Sequence, residues 1–275
     1  MGRFGWLEFS DSKEEQKPKI PAPAAPSSNM VSLDLVANAN DFFFAGLYSK
    51  ALREYSRAIN EDKSNRIAWT RQTLCQVALH EYTQAIVWAQ KCVEVFPDDP
   101  QALSSLAFAK SWRPNYWHEL PELMAQVEQK SCGYYSPQMQ FDKAVCLFAL
   151  QQNDAGQKTI CSMLDSLESH LEQVHWMLIC AAFYLEVRAA ECACILLESL
   201  EKEHSLNSYG LSLWIKAEWL RNDSDKAHLL LRALRRRDPK AEDIYNIADF
   251  FKQNPVQQGG SMFNYLSQLF GKLMD

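Results

Sequence analysis

The residues nearest to a reactive spacing in this chain fail the geometry that chemistry would need. His170 and His175 are five positions apart, so on a helix their rings diverge by about 140° and do not form a ligand pair. Cys192-Ala193-Cys194 sets two thiols about 200° apart by the same geometry, which again does not suit a shared metal. The remaining cysteines, Cys75, Cys92, Cys132, Cys146, Cys161 and Cys180, mostly sit in apolar helical patterns where Cys acts as a small hydrophobe, and no CxxC pair exists. There is no Gly-rich phosphate loop, no GxSxG and no HExxH. The expectation is a protein without catalytic residues, metal or cofactor.

Charge narrows the partners. The 275 residues carry a net charge of −6, so no global field favours nucleic acid or an anionic membrane. Arg232, Arg235, Arg236, Arg237 and Lys240 form one dense basic cluster. Without interleaved aromatics to stack on bases, it reads as favourable charge at a helix C-terminus. No apolar h-region opens the chain and no run nears the roughly 18 apolar residues of a membrane span. Together with the cysteines, this implies reduced thiols and a cytoplasmic location.

What remains is recognition by apolar and aromatic side chains, and the elements that must hold them are helices. With 47% hydrophobic residues, the chain is long enough for a substantial core. Apolar residues recur at i, i+3, i+4 and i+7 from Ser32 to about Ala241, without strand-like alternation. Asp99-Pro100 and Ser136-Pro137 each pair an N-cap residue with Pro at the first helical position. The fold class is all-α. Residues 1–31 read as a tail, with an aromatic cluster around Trp6 and Phe9 ahead of a Pro/Ala/Ser-rich linker. Residues 254–275 read as a flexible joint, Asn254-Pro255 and Gly259-Gly260, followed by a stripe that includes Phe263, Leu266 and Phe270.

Between these ends the chain echoes itself. Ala51-x3-Tyr55 and Ala85-x3-Ala89 lie 34 residues apart, Trp69 opens the second segment, and Pro97 closes it. Ala227-x3-Leu231 followed by Pro239 gives a third copy. In its Trp, Tyr, Ala and Pro positions the chain resembles tetratricopeptide-repeat (TPR) proteins, whose unit is a 34-residue helical hairpin. The resemblance is strong in residues 32–65, 66–99 and 208–241. It weakens in residues 100–207, where Glu119 takes an Ala position and Trp112-Arg113-Pro114-Asn115 lengthens a turn. It implies an α-α superhelix of about six hairpins over residues 32–253, closed by a capping helix that carries Ile244, Ile247, Ala248 and Phe251.

The resemblance also implies a concave groove lined by the first helix of each hairpin. Its offsets put Leu33, Asn40, Phe43, Phe44, Arg71, Leu74, Phe108, Trp112, Phe148, Phe183, Tyr209, Lys216 and Trp219 on the inner face, where the competing reading for the aromatics is interhelix core. The Lys/Asn/Arg clamp of TPR co-chaperones that grip a terminal carboxylate is broken, since only Asn40 matches and Val36 and Ser104 stand where Lys is required. An apolar groove is instead similar to that of TPR chaperones of bacterial secretion systems. The expected function is a non-enzymatic adaptor or chaperone for an apolar or amphipathic protein segment. The alternative is a scaffold in a membrane-associated or secretion complex, anchored through its terminal segments. Either terminal segment also suits a role in folding back on the chain's own groove.

Overall fold

The computed structural model describes residues 28–203, 205–239 and 242–255. The terminal motifs, with Trp6, Phe9, Phe263, Leu266 and Phe270, lie outside these. The described residues form α-helices and one 3-10 helix, with no strand among them.

Six hairpins follow in order. They are α1 (Ser28–Phe44) with α2 (Tyr48–Glu61), α3 (Arg66–Ala78) with α4 (Tyr82–Val95), and α5 (Pro100–Ser111) with α6 (Leu120–Ser131). Then come α7 (Pro137–Ala149) with α8 (Asn153–Asp165), α9 (His170–Glu186) with α10 (Ala190–Lys202), and α11 (Ser208–Leu220) with α12 (Ser224–Arg237). α13 (Glu242–Gln253) covers the last hairpin. The described residues thus form an all-α array of six helical hairpins and a capping helix, the number of units expected. Its first helix starts at Ser28, inside the stretch read as tail, because Val31 packs on the core and Ser32 is buried, its hydroxyl donating to Ala58 O at 3.0 Å.

The inner helices end in one recurring device. The N–H of Leu47 bonds to Phe42 O and that of Gly46 to Phe43 O, a Schellman motif. The same pair of bonds recurs at His80/Glu81, Gln151/Gln152, Arg188/Ala189 and Asn222/Asp223, and each first residue is left-handed. Only the first of the five is glycine, so the other four hold a conformation that costs about 1 kcal/mol each. The helix starts are equally local: Asn65, Asp99, Ser136, Ser169, Asn207 and Asp223 each accept a backbone N–H with their side chain.

Packing explains the 34-residue echo. Ala51, Ala58, Ala85, Ala89, Ala144 and Ala227 are wholly buried, which lets neighbouring helices approach closely, while Tyr55, Trp69 and Trp88 fill the space between them. Trp69 and Trp88 stack at 4.5 Å, and the Trp88 indole donates to Trp69 O. The third hairpin departs from the pattern as its sequence indicates. In place of the Schellman turn, a 3-10 helix (Pro114–Glu119) carries Glu119 back to pair with the buried Lys110. α5 is buried on every face from Ala102 to Ser111.

The superhelix curls far enough for its first hairpin to meet its fifth and sixth. The Phe44 ring stacks on His175 at 3.6 Å, and Asn207 Nδ2 donates to Phe44 O at 3.2 Å. The hydroxyls of Tyr48 and Tyr209 share a hydrogen bond. Gly46, at φ +75°, lies so close to Tyr209 that an added Cβ would sit 2.4 Å from its ring.

Candidate functional site

This closure divides the inner surface into two parts, a sealed waist and an open mouth. The waist is built around Arg71 of α3. Its guanidinium lies 5.8 Å from the Phe43 and Phe44 rings and 5.3 Å from Trp176. Trp176 itself is 2% exposed. Stacking against Phe44 half-buries His175, and this burial, reinforced by the Arg71 charge, lowers its pKa. Behind the waist, between α5 and α7, Asp142 is fully buried and accepts from Ser104 Oγ at 3.0 Å. Desolvation raises its pKa to about 8, opposed by the Ser104 hydrogen bond and by Arg71. Its Oδ1 has no partner among the described residues.

The mouth is a cavity of about 900 Å³ at the C-terminal ends of the inner helices. Its floor is apolar, formed by Phe43, Leu74, Val77, Phe108, Phe141 and Phe183. Ring contacts lock much of that floor: Phe141 meets Phe183 edge-on at 5.8 Å, and Trp112 meets Phe183 edge-on at 6.1 Å. Trp112 also stacks on Tyr82 at 5.7 Å, and Arg113 covers the outer face of Tyr82 at 5.5 Å. The rim is polar and of mixed sign, with Lys50, Arg188 and Lys216 against Glu186 and Asp249. Because the inner helices end here, their last carbonyls add partial negative charge to the rim.

α13 closes one flank of the mouth. Phe251 stacks on Trp219 at 3.9 Å, and Lys216 lies 5.6 Å from the centre of the Phe250 ring. Asn254 was expected to belong to a flexible joint, yet it is held in place. Its carbonyl accepts from the Trp219 indole at 2.6 Å, and its side chain accepts from Arg188 at 2.8 Å.

The structure therefore separates the expected groove residues. Phe43, Leu74, Phe108, Trp112 and Phe183 come together on the cavity wall. Phe44 and Arg71 belong to the waist, and Asn40 accepts a hydrogen bond from the Tyr55 hydroxyl at 2.6 Å. Phe148 packs on Phe183 and fills the space beside Gly156, so it is interhelix core. Trp219 is buried under the cap. Leu33 is 56% exposed, because α1 is the first described helix and no other described helix covers that flank. Gly46–Lys50 and the turn residues Leu79 and His80, with Tyr82, Ala182, Leu213 and Phe250, also line the cavity. The Schellman turns place the two loops there, and only Gly46 advertises such a turn in the sequence.

Among the described residues no group of His, Cys, Asp and Glu is placed to hold a metal ion. No described helix is long and apolar enough to cross a membrane. Arg235, Arg236 and Arg237 of the basic cluster sit in the last turn of α12, where Arg237 donates to Leu206 O at 2.6 Å, and Lys240 lies outside the described residues.

No family model and no curated protein matches this chain. Solved structures do resemble it. PilW, a widely conserved type IV pilus biogenesis factor, is similar over 79% of this chain and 98% of its own, with 14% identity and a TM-score of 0.46. TTC0263, a thermophilic TPR protein of Thermus thermophilus, covers 74% of this chain and 98% of its own, with 13% identity and a TM-score of 0.43. YrrB, described as a TPR protein with an unusual peptide-binding site, covers 71% of this chain and 97% of its own, with 11% identity and a TM-score of 0.38.

Proposed function

We propose that this chain is a non-enzymatic interaction adaptor that holds an apolar or amphipathic segment of a partner protein in the mouth cavity. The single observation behind this reading is the cavity itself, about 900 Å³ over an apolar, ring-locked floor. Its size falls within the range of about 300–1,000 Å³ typical of sites that bury a ligand. A floor fixed by ring contacts loses little side-chain entropy on binding, which favours affinity. The mixed-sign rim suits orientation of a segment with polar flanks more than recognition of one charge. A chaperone role would be the special case in which the partner segment is otherwise insoluble.

The test uses a photo-crosslinking amino acid placed in the full chain at Ala182, on the cavity wall, or at Leu229, which is 65% exposed on α12. In extract of the native cell, Ala182 should capture a partner through an apolar segment mapped by mass spectrometry, and Leu229 should not. Equal capture at both positions, or capture through a polar acidic segment, contradicts the reading.

A further inference from the structure

We propose that the mouth cavity is occupied in cis by residues 261–275 of the same chain, which a partner must displace; this rests on the adaptor reading above. Three observations carry it. First, the chain is delivered to the site: Asn246, Asp249, Phe250, Gln253 and Asn254 all line the cavity, and Asn254 is pinned there by Trp219 and Arg188. The segment that follows therefore departs from the rim. Second, only residues 256–260, with Gly259-Gly260 among them, separate that rim from the stripe. By random-coil scaling, five residues span an r.m.s. distance of about 12 Å. Third, residues 261–275 carry Met262, Phe263, Leu266, Leu269, Phe270 and Leu273 at helical spacing. A helix presenting that stripe would offer apolar side chains to match the apolar floor.

The other terminal motif competes poorly. α1 runs from Ser28 to Phe44, and its Phe43 end lies at the mouth. Its start is therefore about 24 Å away along the helix, at 1.5 Å per residue. Phe9 must also be carried across 18 further residues, an r.m.s. span of about 23 Å. Effective concentration falls roughly as the −3/2 power of linker length, so the C-terminal stripe is favoured about sevenfold before the added distance is counted.

A short flexible linker gives an effective concentration of about 1 mM. A stripe with an intrinsic Kd near 0.1 mM would then fill the cavity about ten parts to one and weaken any competing segment about tenfold.

Two measurements on the full chain test this. A photo-crosslinking amino acid at Phe263 should form intramolecular links to the cavity wall, at Ala182, Leu213 or Phe250, with a yield independent of protein concentration. Links elsewhere on the surface overturn the proposal, as do links between copies whose yield rises with concentration. A fluorescein-labelled synthetic peptide of residues 261–275 should bind the F263D/F270D chain about tenfold more tightly than the unsubstituted chain. Both substitutions lie in the stripe itself, outside α1 to α13. Equal, measurable affinity overturns cis occupancy but leaves the adaptor reading standing. Binding to neither chain also overturns cis occupancy, and the adaptor reading then rests on the Ala182 and Leu229 crosslinks alone.

Discussion

The waist and the mouth are built from the same inner helices, one turn apart, yet they do opposite things. At the waist the first hairpin closes on the fifth, where the Phe44 ring stacks on His175 and the Arg71 guanidinium lies against the Phe44 and Trp176 rings. At the mouth the same helices end, the Schellman turns carry the chain outward, and about 900 Å³ is left between the aromatic floor and the rim. An inner surface rich in aromatic residues is therefore not a groove along its whole length. Where curvature brings the first hairpin against the fifth and sixth it becomes core, and where the helices stop it leaves an open cavity.

That contrast breaks first at Trp176. Trp176→Ala should destabilise the fold by about 3–5 kcal/mol, since it removes a buried indole and leaves a cavity under Arg71; urea unfolding followed by circular dichroism measures this. A loss below about 1 kcal/mol would mean the waist is not sealed. Next is the closure itself. Gly46→Ala forces a Cβ against the Tyr209 ring at a left-handed position, an expected cost of about 2 kcal/mol. Tyr209→Ala in the same chain should recover part of that loss, as coupled neighbours do; strictly additive effects would separate the two residues.

A third prediction concerns Asp142. Its folded pKa, about 8, lies above the unfolded carboxylate range, so the native state binds the proton more tightly. The stability this contributes is fully present below about pH 4 and is lost as pH rises through about 8. Between pH 7 and 8.5 the Asp142 contribution should fall by on the order of 1 kcal/mol, and Asp142→Asn should flatten that slope in thermal melts. An unchanged slope in the variant would remove Asp142 as its cause. The smallest stability effect is expected at the mouth, where Ala182→Trp fills open space and should shift stability by less than about 1 kcal/mol.

The sequence exposed the local part of this architecture. Ala51, Ala85 and Ala227 mark helix crossings because small residues are needed wherever two helices touch, and Asp99-Pro100 and Ser136-Pro137 mark helix starts by local capping chemistry. Phe43, Phe108 and Phe183 were legible as inner-face residues from the repeat offsets alone. The division of that face was not, because it depends on contacts about 160 residues apart, such as Phe44 with Asn207 and Tyr48 with Tyr209. Asn254 shows the same limit. Next to Pro255 it reads as a joint, but the Trp219 indole and the Arg188 side chain fix it to the rim.

The most direct test of the central claim, that binding belongs to the mouth and not to the array at large, is an affinity comparison. The partner segment mapped by crosslinking is titrated, by fluorescence anisotropy, against the unsubstituted chain, Ala182→Trp and Leu229→Trp. Ala182→Trp should weaken binding at least tenfold, about 1.4 kcal/mol, while Leu229→Trp, on the outer face, leaves it unchanged. Full affinity in the Ala182→Trp chain, or an equal loss in both, would contradict the account.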